Sequence, residues 1–351
     1  MATIQISELK KFCKDALVHE GMKEDYATIT AEVLAETDAF GTNSHGTKNL
    51  YGYIKKARVG GVDLKAEPEI VREGAACAVI DAHNALGMVG SWMGMSHAIE
   101  KAKKAGIALV TVKNSCHFGA AGYYANMAAR QGLVGISMSN VDPNMTAPGA
   151  RGMLLGNNPF AYAAPSEKVP TVFLDIALSN VASLKVVQAR KDGKQIPNTW
   201  IVDKDGLPTT DPSHYPEEGA MQPMAAHKGY GLAVMVDVLT GILAGSDTSM
   251  SGKIVSWCFE PEKPNNVTHT FIAINPELLC GKASVAEDVE QMAQILRDAP
   301  KAKGTERIFT PGEIEWGKHK AAEENGLQLP PDVEASLREL SADLGLELPL
   351  R

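Results

Sequence analysis

The sequence predicts an α/β protein with a mixed sheet and a helical unit built from both ends of the chain. Amphipathic helical patterns fill roughly the first sixty residues and return near the C-terminus. From about Ala76, short apolar runs alternate with longer helical patterns, which is typical of an α/β sheet. Two apolar runs, 160–164 and 171–176, are too close in sequence for a helical crossover, so part of the sheet must be antiparallel.

The predicted helical unit comprises residues 1–72 and 310–351. A first helix is expected from Ser7, a suitable N-cap, to Gly21, because apolar residues between them follow helical spacing. A second should run from Asp25 to near Gly41, and a third should follow the turn at 43–46 and end near 60–61. Two further helices are expected at 312–324 and 332–344, separated by Leu329-Pro330-Pro331.

The predicted α/β region comprises residues 73–309. Its expected strands are 78–80, 107–112, 133–138, 160–164, 171–176 and 269–274. Its expected helices are 88–105, 121–130, 229–243 and 285–296. The glycines at 87, 90 and 94 lie inside a predicted helix, so they indicate helix packing and not the G-x-G-x-x-G loop of a Rossmann domain.

Composition excludes several classes of protein. The 351 residues are 44% hydrophobic and 22% charged, and the net charge of −8 is spread along the chain, which argues against nucleic acid or an anionic membrane as partner. Five cysteines without a C-x-x-C spacing suggest neither a disulfide framework nor a zinc knuckle. With no recognisable leader and no apolar run of about 20 residues, the expected location is the cytoplasm.

One histidine stands where chemistry is expected. His117 follows the predicted strand 107–112 and precedes a glycine-rich turn, so it should lie at the carboxyl end of a strand, where α/β proteins collect their functional residues. An imidazole there can exchange protons near neutral pH. A histidine that caps a turn or is satisfied in the core would give the same local pattern.

Three other polar residues also lie at the ends of predicted elements. Ser44 and His45 precede a helix, and Asp175 lies near the end of an apolar strand. With His117 they form a plausible catalytic set, although Ser44 could equally cap the helix and Asp175 a turn. His45, His117 and Asp175 would also suit a metal site of two histidines and one carboxylate. Lys228 and Gly229 open a long helix, where a lysine and free backbone N–H groups could bind phosphate.

A series of motifs then resembles the type 2 malate/L-lactate dehydrogenases over nearly the whole chain. They occur in the family's order and are Ser44-His45-Gly46, His117-Phe118-Gly119-Ala120, Asn158-Pro159, Asp175 with Ala177 and Ser179, Pro197 to Gly206, Pro208 to Pro212, Lys228-Gly229-Tyr230-Gly231 and Pro311-Gly312-Glu313. The segments 200–212 and 228–239 are most similar to ureidoglycolate dehydrogenase. The resemblance implies a non-Rossmann NAD(P)-binding fold, with residues 120–230 as the main cofactor-binding part, and a homodimer.

The resemblance also implies roles for residues. His117 matches the catalytic acid/base, and Ser44, His45 and Asp175 match a supporting relay. Substrate contacts are implied for Lys48, Asn49 and Tyr53. The implied cofactor contacts are Asn140, Val141, Asp142, Asp175, Ile176, Ala177, Lys185, Lys228, Gly229 and Gly312. The cofactor is expected to be NAD, with NADP possible, and no metal is expected.

One departure from the family pattern concerns substrate binding. Where the family usually has S-H-G-x-x-R, this chain has Asn49 in place of the arginine that is taken to clamp the substrate carboxylate. An amide lacks the charged two-point fork, and losing a contact of about 1.5–3 kcal/mol weakens binding roughly ten- to hundred-fold. Leu178, Leu184 and Asn157 also depart from the pattern, so an altered substrate pocket is expected.

The predicted function is an NAD(P)-dependent dehydrogenase for a small 2-hydroxy or 2-oxo acid or a related compound, with His117 as acid/base. A metal-dependent hydrolase or lyase using His45, His117 and Asp175 is the first alternative. The second is a cofactor-binding protein that has lost turnover together with the arginine. Chelator sensitivity would distinguish the first, and NADH binding without oxidation would distinguish the second.

Overall fold

The structure, a computed structural model, describes residues 2–282 and 284–351. The N-terminal helices are α1 (Ile6–His19), α2 (Glu24–Ala39) and α3 (Leu50–Arg58), and a 3-10 turn at Thr47–Asn49 precedes α3. The N-cap of α1 is Gln5 and not Ser7, because Gln5 and Glu8 form a reciprocal capping box there. A helix cap by Ser44 is also wrong, since its hydroxyl bonds the His45 ring at 2.8 Å.

The strands are short and follow the predicted order, with additions. They are β1 (Thr3–Ile4), β2 (Glu69–Glu73), β3 (Cys77–Asp81), β4 (Ile107–Ser115), β5 (Val134–Ser139), β6 (Phe160–Pro165), β7 (Thr171–Ile176), β8 (Ile201–Val202), β9 (Pro208–Thr209), β10 (Ala220–Met221), β11 (Val267–Ile274) and β12 (Leu327–Gln328). The sequence pattern missed β2, whose residues are mostly exposed, and the two-residue strands, which are too short to show a period.

The remaining helices lie between and after these strands. They are α4 (Gly87–Ala105), α5 (Ala121–Ala129), α6 (Ser183–Lys191), α7 (His227–Asp237), α8 (Glu277–Cys280), α9 (Ala286–Arg297), α10 (Glu313–Asn325) and α11 (Pro331–Leu344). The long helix expected at 229–243 changes into a π-helix at Val238–Ile242. Within the described residues, no helix is both long enough and apolar enough to cross a bilayer.

The main sheet has seven strands in the order β2-β3-β4-β11-β5-β6-β7. Only β3 and β4 pair in parallel, and the other neighbours are antiparallel, so the predicted mixed sheet is confirmed. Helix α4 packs closely on this sheet through its glycines: a Cβ on Gly94 would lie 2.7 Å from Phe271, and one on Gly87 would lie 2.1 Å from the Cys116 carbonyl oxygen. The interpretation of these glycines as packing positions is therefore confirmed.

Buried side chains form two separate clusters. The larger cluster includes Leu17 of α1, Val110 of β4, Phe271 of β11 and Leu337 of α11, so it joins the terminal helices to one part of the sheet. The smaller cluster includes Met138, Val186 and Val236. Its buried members other than Met138 all come from residues 145–236. The division at residues 72 and 310 remains a prediction.

Candidate active site

His117 lies two residues beyond the end of β4, as the sequence pattern predicts. The turn that carries it is fixed by His269 of β11, a fully buried residue that sequence reasoning treated only as the start of a strand. His269 Nε2 lies 3.1 Å from the Cys116 carbonyl oxygen and Nδ1 lies 2.8 Å from Ser139 Oγ. Burial lowers the pKa of His269 to about 3, so the ring is neutral, with Nε2–H donating to the carbonyl and Nδ1 accepting from Ser139.

Two groups contact the Nδ1 atom of His117. The Tyr53 hydroxyl lies 2.6 Å from it, and the Gly119 backbone nitrogen lies 3.4 Å from it. The Tyr53 hydroxyl can donate or accept, so the neutral ring can hold its proton on Nδ1, donate it to Tyr53 and leave Nε2 unprotonated. The ring is half-buried, which leaves Nε2 as the nitrogen available for proton exchange with a ligand.

A second imidazole stacks on the first. The His45 and His117 rings are 5.4 Å apart and 28° from parallel, and Ser44 Oγ bonds His45 Nδ1 at 2.8 Å. Burial, and then the positive charge that His45 and His269 would carry, hold the pKa of His117 well below its usual value. Burial also lowers the pKa of His45. Both rings are therefore neutral at pH 7.

Asp38, which sequence reasoning missed, holds the turn that carries Ser44 and His45. Its carboxylate accepts hydrogen bonds from the Thr47 backbone N–H at 3.0 Å, the Thr47 hydroxyl at 2.5 Å and the Asn43 amide at 3.0 Å. A Cβ on Gly46 would lie 2.0 Å from this carboxylate, so only glycine fits there. An aspartate near the end of a predicted helix gave no signal that distinguished it from a surface residue.

The three expected substrate contacts do not all reach the imidazoles. Tyr53 is fully buried against His117. Asn49 lies on the same side, with its Nδ2 donating to the Ser44 carbonyl at 2.9 Å. Lys48 lies apart, because its ammonium pairs with Asp332 of α11 at 2.6 Å. Its side chain does not replace the missing guanidinium in this arrangement.

A pocket of about 360 Å³ begins at Ala120, three residues from His117. This volume is within the range of about 300–1,000 Å³ that is usual for small-molecule sites. Asp175 lines the pocket, and its carboxylate accepts from the backbone N–H of Gly122 at the start of α5 over 2.7 Å. Burial raises the pKa of Asp175 to about 6, so the carboxylate is still ionised at pH 7. Asp175 therefore lies in the pocket wall.

Aromatic rings and a tight glycine complete this pocket. The aromatic lining residues are Phe40, Tyr123, Phe173 and Phe309. Gly312, at a φ of +84°, packs so closely on Phe173 that a Cβ would lie 2.4 Å from the ring. Flat apolar faces beside a carboxylate suit a nucleoside, whose base stacks on aromatic rings and whose ribose hydroxyls donate to carboxylates. The pocket therefore fits part of a nicotinamide dinucleotide.

The other expected cofactor contacts lie in two places. Ile176 ends β7 and Ala177 follows it. Near them, a Cβ on Gly229 at the start of α7 would lie 2.4 Å from the Met224 carbonyl oxygen and 3.0 Å from that of Leu178. Lys228 and Lys185 are exposed. Asn140 is fully buried, and both ends of its amide bond the backbone, at Asp247 and Thr268.

Val141 and Asp142 follow Asn140 after β5. The Val141 backbone N–H donates to the Asn158 side chain at 3.1 Å. Burial raises the pKa of the Asp142 carboxyl to about 6, and Glu260 adds a smaller effect in the same direction.

The side chains do not gather into the metal site that the sequence left open. Among the residues that the structure describes, no group of three or more His, Cys, Asp and Glu side chains is placed to hold a metal ion. His45 and His117 stack on one another, while Asp175 bonds the start of α5. The first alternative function therefore has no supporting geometry in the described residues.

Known proteins are similar in sequence to this chain over nearly its whole length. A family model described as malate/L-lactate dehydrogenase matches residues 4–338. L-sulfolactate dehydrogenase of Methanocaldococcus jannaschii is 36% identical over 339 residues, which cover 97% of this chain and 96% of that protein. Ureidoglycolate dehydrogenase (NAD(+)) of Escherichia coli K12 is 34% identical over 326 residues, 93% of this chain and 92% of that protein.

Solved structures share the fold as well. Sulfolactate dehydrogenase from Methanocaldococcus jannaschii superposes with a TM-score of 0.90 at 35% identity, covering 99% of this chain and 98% of that one. Malate dehydrogenase from Entamoeba histolytica superposes with a TM-score of 0.91 at 29% identity, covering 99% and 100%. The protein is an oxidoreductase that acts on the CH–OH group of small hydroxy acids with a nicotinamide cofactor, and the chain belongs to the malate/L-lactate dehydrogenase family.

Proposed function

We propose that this enzyme transfers a hydride between NAD and a small 2-hydroxy or 2-oxo acid, with His117 exchanging the proton. The observation that supports it best is the contact of His117 Nδ1 with Tyr53 and Gly119, which leaves Nε2 to exchange a proton with the ligand. The pocket whose lining suits a nucleoside includes Ala120, three residues from that ring. The nicotinamide, when bound, supplies or accepts the hydride.

The residues around His117 have separate parts in this proposal. In the oxidation direction Nε2 of the neutral ring accepts the alcohol proton while Nδ1–H donates to Tyr53, and in reduction the protonated ring returns the Nε2 proton to the carbonyl oxygen. Tyr53 and Gly119 orient the ring through Nδ1, and His45 with Ser44 supports its stacked face. Asp175 is proposed to bind cofactor in the pocket, since its hydrogen-bond partner is Gly122 and not an imidazole.

NAD is proposed over NADP because of the charges in the pocket. The pocket-lining residues that the structure describes include two carboxylates, Asp175 and Glu315, and neither lysine nor arginine. A ribose hydroxyl can donate to a carboxylate, whereas the 2′-phosphate of NADP would be repelled and has no cation there. Comparing the KM values for NADH and NADPH with the same acid measures this preference.

The proposed function is tested by following NADH absorbance with a panel of 2-oxo acids, before and after the substitution His117→Ala. We expect wild-type turnover with at least one acid, and a loss of at least about hundred-fold in His117→Ala with NADH affinity unchanged, because the proton-transfer group alone is removed. His19→Ala, an exposed histidine of α1, is the matched control. Full turnover by His117→Ala, or NADH binding by the wild type without turnover on any acid, would contradict the proposal.

We also propose that the enzyme works in the cytoplasm as a homodimer. All five cysteines are free, which suits a reducing compartment.

The proposed dimer rests on a row of exposed apolar side chains along α7 and the π-helix: Leu232, Met235, Val238, Ile242 and Leu243. Such a patch is typical of an association surface, and a second copy of the chain is its proposed occupant. Light scattering on the purified protein measures the assembly.

A further inference from the structure

The segment between the π-helix and β11 brings a tryptophan ring against His117. We call residues 253–266 the covering loop. Its Trp257 is half-buried, with ring centroids 5.2 Å from His117 and 4.8 Å from Tyr53. An indole in this position would contact a ligand that binds beside the His117 ring.

Helix α3 is shaped to receive the covering loop. A Cβ on Gly52 would lie 3.0 Å from the Trp257 ring, so the indole packs on the bare backbone of the helix. Just beyond the end of α3, a Cβ on Gly61 would lie 1.9 Å from the Pro261 carbonyl oxygen, which only glycine permits. Two separate close approaches therefore fix the loop against the helix that also carries Tyr53.

Lys56 anchors the covering loop to α3 by hydrogen bonds. Its side chain is fully buried, and its ammonium donates to the carbonyl oxygens of Lys263 at 2.5 Å and Pro261 at 3.3 Å. Burial lowers the pKa of Lys56, with weaker opposing effects from nearby groups that include Glu260 and Glu262. A buried amine bound to two backbone carbonyls holds the chain there, and truncating it would leave those carbonyls without a partner.

The cations of this helix and the turn before it are all engaged elsewhere. Lys48 pairs with Asp332, Lys55 lies over the Tyr51 ring, Lys56 bonds the covering loop, and Arg58 pairs with Glu20 and Asp343. At position 49, where the family usually has arginine, the side-chain amide of Asn49 donates a hydrogen bond to the Ser44 carbonyl oxygen. The surroundings of His117 thus include aromatic faces and an amide where a charged fork would be expected.

We propose that Trp257 is a specificity-determining residue of this enzyme and that Lys56 is the positioning residue that holds it over His117. The substrate class selected in this way is a 2-oxo or 2-hydroxy acid whose side group is flat and apolar, in preference to a second acidic group. A flat side group stacks on the indole, whereas a second carboxylate would lose water without gaining a cation from α3 or the turn before it. This inference rests on the proposed function.

The first experiment compares phenylpyruvate with oxaloacetate as substrates in NADH oxidation. In the wild type, kcat/KM should be higher for phenylpyruvate, and Trp257→Leu should lower that preference about ten-fold through KM. Trp257→Phe should keep most of it, because a ring face remains. Trp92→Leu, which changes a partly exposed tryptophan of α4, is the matched control and should change nothing. An unchanged preference in Trp257→Leu would overturn the inference.

The second experiment tests Lys56 by hydrogen exchange and kinetics together. Lys56→Met should speed exchange in residues 253–266 by at least about ten-fold and reduce the phenylpyruvate preference as Trp257→Leu does. Lys55→Met, the exposed neighbour, should do neither. Slow exchange of the loop in Lys56→Met, or unaltered selectivity in a loosened loop, would overturn the positioning role. Absence of wild-type turnover on every 2-oxo acid would defeat the proposed function itself, whereas turnover with selectivity independent of Trp257 defeats only this inference.

Discussion

His117 is held by contacts that come mostly from distant parts of the sequence. Tyr53 comes from α3, Gly119 from the following turn, and the anchoring His269 from a strand about 150 residues later. The sequence alone predicted where His117 lies along the chain, because a strand ends there. It could not show which ring nitrogen is left to exchange a proton, because that depends on contacts between segments that no spacing relates.

A pH dependence follows from the lowered pKa of His117. Because burial and the neighbouring imidazoles disfavour its cation, the neutral form dominates from a pH well below 6.5 upwards. We expect kcat/KM for oxidation to be level from pH 9 to about 6.5 and to fall only in more acidic solution. For reduction, which needs the cation, kcat/KM should fall about ten-fold for each pH unit above that pKa. Rate profiles in both directions measure this, and a reduction rate that is level between pH 6.5 and 8 would contradict it.

The Asn49→Arg substitution tests the altered carboxylate contact. Arginine would restore the charged fork on the turn beside His45, and a contact of about 1.5–3 kcal/mol corresponds to roughly ten- to hundred-fold. We therefore expect a gain of that order in kcat/KM for pyruvate. Asn49→Lys, which adds the charge without the fork, should gain less. No gain from Asn49→Arg would mean that a different part of the pocket binds the carboxylate.

At the scale of elements, the helices and long strands could be predicted because each repeats a period several times. The expected helix at 88–105 is α4, Gly87–Ala105, and the expected strand at 171–176 is β7. Helix α6 and the exposed strand β2 were not predicted, because one has almost no amphipathic pattern and the other buries no residue fully. The π-helix after α7 also gave no signal in the sequence.

Packing of α4 on the sheet gives a stability prediction. Gly94→Ala would place a methyl group 2.7 Å from Phe271 and 2.8 Å from Val112, so we expect the free energy of unfolding to fall by about 1–3 kcal/mol. Gly317→Ala, inside α10 with open space around it, is the matched control. Alanine there should raise the free energy of unfolding by about 0.5–1 kcal/mol, since glycine is a poor helix former. Urea titration measures both, and a neutral Gly94→Ala would contradict the close packing.

The whole molecule is organised by its two clusters of buried side chains more than by the order of the chain. Both ends of the chain meet, because Thr3 and Arg351 exchange two backbone hydrogen bonds at 3.0 and 2.8 Å. Glu36 of α2 pairs with Arg130 at the end of α5 and lies 3.6 Å from His319 of α10. Burial opposes the charge on Glu36, but His319 and Arg130 outweigh it and lower its pKa to about 2. The terminal helices are thus joined to the sheet by charge as well as by apolar contact.

This organisation predicts which parts of the molecule unfold together. Leu337 of α11 is fully buried in the larger cluster, together with Val110 of β4. Leu337→Ala should cost about 2–5 kcal/mol, and it should speed hydrogen exchange in β4 and β11 as much as in α11, because the same side chains stabilise all three. Val186→Ala, in the smaller cluster, is the matched substitution and should affect residues 145–236 more than β4. If Leu337→Ala instead loosens only residues 1–72 and 310–351 while β4 keeps its protection, the two ends of the chain form a separately folding domain and the larger cluster is not one cooperative unit.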